Sequence, residues 1–170
     1  DADSVPPPDW VERVVAAFAQ DETLDALSGP GRFYGSNRLV HWIAEHCYIG
    51  AYRVVVGAML GHPILFGSNL ALRRATWLAA EPRTHHERAD VHDDLDLTIN
   101  LPPGTHVRFD RRLVVGVSAR PFDDPRGLAR RVHMAFRTFA VDFGEESLWS
   151  RRREWRAARH PSAQRTDAES

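Results

Sequence analysis

Apolar and polar residues follow two different periods along this chain, and the switches between them divide it into short helices and strands. After Pro6-Pro7-Pro8, the residues Trp10, Val11, Val14, Val15 and Phe18 recur at helical spacing, which predicts a one-sided helix to about Gln20. Asp9 followed by Glu12 has the form of a capping box, a pair that satisfies backbone N–H groups left free in a first turn. Leu24 to Ser28 reads as a short strand, stopped by Gly29-Pro30-Gly31. Ser36 or Asn37 is placed to cap a second helix, with Leu39, Val40, Trp42, Ile43, Cys47 and Tyr48 marking its buried face. That helix is expected to run, with a break near Gly50 or Gly57, to Gly61-His62-Pro63, where glycine and proline end it.

Ile64 to Phe66 and Leu70 to Leu72 read as strand pieces flanking Gly67-Ser68-Asn69, and Ala75 to Ala80 as a short helix. Residues 81–90 are polar and form an expected loop carrying His85 and His86. The next segment points both ways. Leu95, Leu97, Ile99 and Leu101 alternate, as in a strand, while the acids ahead of them suit the first turn of a helix. Pro102-Pro103-Gly104 turns the chain, and His106 to Phe109 and Leu113 to Ser118 are predicted strands. Pro125 to about Phe143 patterns as an amphipathic helix with arginines on its wet face. Residues 146–170 start basic and end polar, so a flexible tail is expected there after a domain of residues 1–145. Interleaved helices and strands make the fold class α/β.

Composition narrows the partners. With 170 residues, 43% hydrophobic and 26% charged, the chain is expected to form one soluble domain with its own core. A net charge of -1 gives no reason to expect nucleic acid. All 22 basic residues are arginine, a bias read as genomic composition. Cys47 is the only cysteine, which excludes an intrachain disulfide and any cysteine-built zinc site. The most apolar stretch, Tyr48 to Leu72, is interrupted by Arg53, His62, Pro63 and Asn69, short of the run of about 18 apolar residues that spanning a membrane needs. A buried helix is the expectation, and an interfacial helix the alternative. No signal peptide is visible in the acidic, proline-rich start, which leads to a cytoplasmic expectation, including the cytoplasmic face of a membrane.

Three features carry candidate chemistry. Asp1-Ala2-Asp3 offers two carboxylates that suit a hard divalent cation. Phe66-Gly67-Ser68-Asn69 combines a glycine that lets backbone approach a ligand closely with an amide that both donates and accepts. His92-Asp93-Asp94-Leu95-Asp96 concentrates acids, any of which could serve as a general base. In this order, and followed by Val107-Arg108-Phe109-Asp110, Leu113-Val114-Val115 and Ser118-Ala119-Arg120, the set resembles a family 2 glycosyltransferase of the GT-A fold over roughly residues 1 to 140. The resemblance implies the C-terminal, acceptor-side part of such a domain, truncated at its N-terminal end, and a helix in the segment from Asp93 to Leu101. It implies an inverting transfer of a sugar from a nucleotide-diphosphate-sugar donor to an acceptor hydroxyl, with a lipid-linked or carbohydrate acceptor. Asp1 and Asp3 would hold Mg2+ or Mn2+ against the donor diphosphate, and Asp94 would be the general base. Asp93 stands where the family commonly has Glu, and with Gly67, Ser68 and Asn69 it would line the substrate region. The family's first strands, which bind the nucleotide, have no counterpart in these residues, so this stretch alone is expected to be inactive. The Gln-x-x-Arg-Trp motif of processive synthases is absent, which favours transfer of single sugars.

Two other readings stay open. His85, His86 and the His92-Asp93 pair with a later Asp could build an HD-type metal-dependent phosphohydrolase. Alternatively Trp42, Tyr48 and Tyr52, with Arg38 and Arg53, could settle a non-catalytic interaction domain on a bilayer surface. His41, His46 and His62 read as packed helix residues. Trp77, Trp149 and Trp155 read as packing, with Trp77 the one tryptophan suited to stack on an acceptor sugar.

Overall fold

The computed structural model describes residues 4–35, 50–119 and 125–159. Their regular elements, in chain order, are α1 (Trp10–Gln20), β1 (Ala26–Ser28), β2 (Gly31–Tyr34), α2 (Ala51–Leu60), β3 (Leu70–Leu72), α3 (Arg74–Ala80), a 3-10 turn at Glu81–Arg83, α4 (Asp93–Ile99), β4 (Val107–Phe109), β5 (Val115–Ser118), α5 (Pro125–Glu145) and α6 (Leu148–Arg159). The class is mixed α/β, as the periodicity predicts.

β1 is the centre of a three-stranded sheet, antiparallel to β3 with Ala26 opposite Leu72 and parallel to β4 with Ala26 opposite Val107. β2 pairs in parallel with β5, Gly31 standing opposite Val115. The predicted stop at Gly29-Pro30-Gly31 is therefore an interruption between two consecutive strands. Glycine is required there, because a Cβ on Gly29 would lie 2.0 Å from the Leu113 carbonyl oxygen.

Ile64 to Phe66 does not form the expected strand. Its backbone is satisfied by side chains instead of a ladder: Leu65 N–H donates to Thr98 Oγ1 at 3.1 Å and Phe66 N–H to Ser28 Oγ at 2.9 Å. The capping box at Asp9 also differs. The Asp9 carboxylate accepts from Arg13 Nε at 2.8 Å, and no side chain caps α1.

The ambiguous segment at 93–101 resolves as a helix, for a reason visible in its packing. Leu97 and Leu101 join a cluster with Ala26, Leu65, Val107 and Trp155, while Leu95 and Ile99 join another with Val56, Leu60 and Ile64. A helix apolar on two sides is buried between two layers, so its leucines mimic strand alternation. α6 replaces much of the expected tail. Its Trp155 is buried and stacks on His62 with ring centroids 4.0 Å apart, and Arg151 reaches the Ile99 carbonyl at 2.9 Å. The predicted second helix is described only from residue 50 onward; Leu39 to Tyr48 lie outside the described residues.

Candidate functional site

The polar loop after α3 and the first turn of α4 face each other across an open cleft of about 400 Å³, whose lining includes Gly67, Trp77, His86, Asp93, Asp94 and Arg131. Two of the sequence-predicted motifs meet at its rim. Gly67 N–H donates to Asp94 Oδ2 at 3.0 Å across 27 positions of sequence, and Asp94 Oδ1 accepts the N–H of Leu95 at 2.9 Å. Gly67 makes this approach close: a Cβ there would lie 3.0 Å from both the Cβ and Oδ2 of Asp94, so a larger residue presses the carboxylate aside. Asp94 is half-buried and Asp93 exposed, so both carboxylates stand at the solvent-facing edge of a walled space. Trp77, held against the core at one side, presents the aromatic surface that the cleft offers.

The remaining predicted residues divide. Ser68 is half-buried beside Gly67. Asn69 is buried and its amide is committed to the scaffold: Oδ1 accepts Trp10 Nε1–H at 2.9 Å, and Nδ2 donates to the Leu113 and Pro30 carbonyls at 2.5 and 3.2 Å. It holds the Gly67-Ser68 turn against α1 and the strand interruption, so its contribution to the cleft is positional. Asp1 and Asp3 lie outside the described residues.

His85, His86 and His92 are directed to three different surroundings. The His92 ring meets the Arg131 carbonyl at 2.9 Å on α5, and His86 lies exposed in the cleft wall. His85 turns the other way, inward. Its Nδ1 stands 2.8 Å from Asp96 Oδ1 and 3.8 Å from Asp142 Oδ1, and its Nε2 3.2 Å from Glu145 Oε1. The hydrogen bond to Asp96 raises the His85 pKa above the ordinary histidine value, against the effect of burial, with Glu145 adding to the rise. Burial pushes Asp142 up to about 7, opposed by the hydrogen bond from Asn100. His85, Asp96 and Asp142 each bring one ligand-type atom within 4.8 Å of the others, a group that could hold a metal ion.

Asp142 was hidden in the sequence among residues read as an amphipathic helix. Its signal was position: it continues the stripe of Ala135, Thr138 and Phe139 at helical spacing, where Thr138 and Asp142 are both fully buried. An acid on the apolar face of a helix is seldom there without a partner.

Comparison with protein-family models and with curated proteins finds no match to this chain. The functional reading therefore stands on the residues and their geometry.

Proposed function

We propose that the chain is the acceptor-side part of an inverting, GT-A-type glycosyltransferase domain, with Asp94 as the general base. The observation that carries this reading is the meeting of Asp94 with the Gly67 backbone at the rim of an open cleft. The base must lie within hydrogen-bond reach of a substrate hydroxyl. A half-exposed carboxylate whose two oxygens are tethered to the backbone N–H groups of Gly67 and Leu95 is held in position for that task. Asp94 takes the proton of the acceptor hydroxyl as its oxygen attacks the anomeric carbon from the face opposite the leaving nucleoside diphosphate. Trp77 offers the acceptor sugar an apolar face, and Asp93 and His86 supply polar contacts at the cleft edge. Asp1 and Asp3 would hold Mg2+ or Mn2+, which neutralises charge developing on the departing diphosphate. The donor is a nucleotide-sugar, and transfer is of single residues.

The test is an assay of the protein against a panel of nucleotide-sugars with Mg2+ or Mn2+. Metal-dependent turnover that disappears in Asp94→Asn supports the assignment. Folded, metal-supplied protein that turns over no donor overturns it.

One observation favours contact with a membrane surface as part of the same function. Val54 and Val55 on α2 are 63% and 62% exposed, next to Arg53, an arrangement that suits a bilayer interface and a lipid-linked acceptor. Among the described residues no helix is long and apolar enough to cross a membrane. Flotation with anionic liposomes checks this: protein that stays at the bottom of the gradient removes the membrane from the proposal.

A further inference from the structure

Asp96 and Asp142 bring two carboxylates into the interior, at 1% and 0% exposure, on two different helices. Asp96 is well provided for. Its Oδ2 accepts the His85 backbone N–H at 2.7 Å, and its Oδ1 faces the His85 ring and accepts from Asn100 Nδ2 at 3.0 Å. Asp142 is not. Its Oδ1 accepts from Asn100 Nδ2 at 2.6 Å, but its Oδ2 is buried with no hydrogen-bond partner. A fully buried carboxylate oxygen left unpaired is costly, and here it belongs to a residue already facing a histidine nitrogen and a second carboxylate.

The surroundings have the form of a metal centre's outer layer. A metal-bound histidine usually donates its other ring N–H to a carboxylate, which fixes its tautomer. With Nδ1 turned inward, the His85 Nε2 meets Glu145 in that manner. Ligating carboxylates are themselves held by hydrogen bonds, and Asn100 holds both Asp96 and Asp142, while its own oxygen accepts from Arg151 Nη1 at 3.1 Å. One imidazole and two carboxylates match the nitrogen and oxygen preferences of zinc and its first-row neighbours. They do not match calcium, which takes six to eight oxygens.

We infer that His85, Asp96 and Asp142 form a structural site for one zinc-type divalent cation, with Glu145 orienting His85. The cation replaces the proton on Nδ1 and gives the unpaired region of Asp142 a charge to face. Its three ligands come from the loop at 84–92, from α4 and from α5. Occupancy therefore fastens that loop to the two helices, and with it His86 and Thr84, which wall the Asp94 cleft. The inference does not rest on the transferase reading, and its test uses no activity.

The experiment is a zinc titration of chelator-treated, desalted protein, followed by calorimetry and by thermal unfolding. One zinc per chain and a higher unfolding temperature are expected. Asp142→Asn, which keeps the side-chain volume, should weaken binding by more than the about 100-fold that loss of an orienting partner costs at most. Glu145→Gln should weaken it by about 10-fold, and His86→Gln should leave it unchanged. In the unaltered protein, the nitrogen resonances of a single imidazole should shift on zinc addition, and that signal should be absent in His85→Gln. Absence of zinc binding by the folded wild-type protein overturns the site. So does binding that survives Asp142→Asn undiminished, or that is lost in His86→Gln.

Discussion

Asp94 and Asp96 are two residues apart on one short helix, yet they inhabit different chemical worlds. Asp94 is half-exposed at the cleft rim, tethered by the Gly67 N–H. Asp96 is 1% exposed, and its oxygens are taken by His85 and Asn100. The same side chain is thus placed once at a solvent-facing rim and once where it ties the His85 loop to α4. The lesson is that an acidic motif has no single role; rotation about the helix axis assigns each acid to the outside or to the interior.

The sharpest way to break this contrast is to neutralise the proposed base at the rim. Asp94→Asn should lower transfer by about 10²- to 10⁴-fold, the usual contribution of a general base, with the unfolding temperature unchanged. A comparable fall in thermal stability would show that Asp94 belongs with the interior acids. Next in size is the interior partner. Asp96→Ala in metal-free protein leaves the His85 backbone N–H and ring Nδ1 without their carboxylate acceptor and should cost about 3 kcal/mol or more, as for other broken buried charge pairs, measured by urea unfolding.

A second buried titratable group extends the contrast to pH. Burial against Trp155 lowers His62 from 6.5 to about 4, the Pro63 carbonyl opposing the shift and Arg159 adding to it. Its folded pKa lies below its unfolded one, so the folded state binds fewer protons between those values. The stability His62 contributes is then complete above about pH 6.5 and is lost as pH falls toward 4, to a total of roughly 3 kcal/mol. His62→Phe, which keeps a ring on Trp155, should flatten that part of the pH profile relative to wild type. An unchanged slope would mean that His62 charges freely in the folded protein. The smallest expected effect is the most local. Gly67→Ala pushes on the Asp94 carboxylate and should lower kcat by about 10- to 100-fold through misplacement, with stability within about 1 kcal/mol of wild type.

Much of the scaffold was readable in advance. α1, β3, α3, β4 and α5 fall where the sequence placed them; in α1 and α5 a helical stripe set against the core carries the period. The errors share a cause. Ile64 to Phe66 has the composition of a strand, but its N–H groups are claimed by Thr98 and Ser28 from distant segments. Residues 148–159 read as a basic tail because their arginines dominate, and the buried anchors among them, Trp155 and Arg151, are few. β2 escaped notice because its partner β5 lies more than eighty residues away.

The candidate site divides in the same way. The cleft acids and Gly67 were visible as motifs, since their chemistry is concentrated in a few adjacent positions. The His85, Asp96 and Asp142 group was not, for its members come from a loop and two helices and touch only after those helices pack. By itself the sequence determined the class of the fold and the spans of α1, α3 and α5. Only the tertiary structure decided which carboxylate stays half-exposed at the cleft rim and which is buried against His85. Burial and hydrogen-bond geometry depend on what packs against a helix, and local spacing does not encode that.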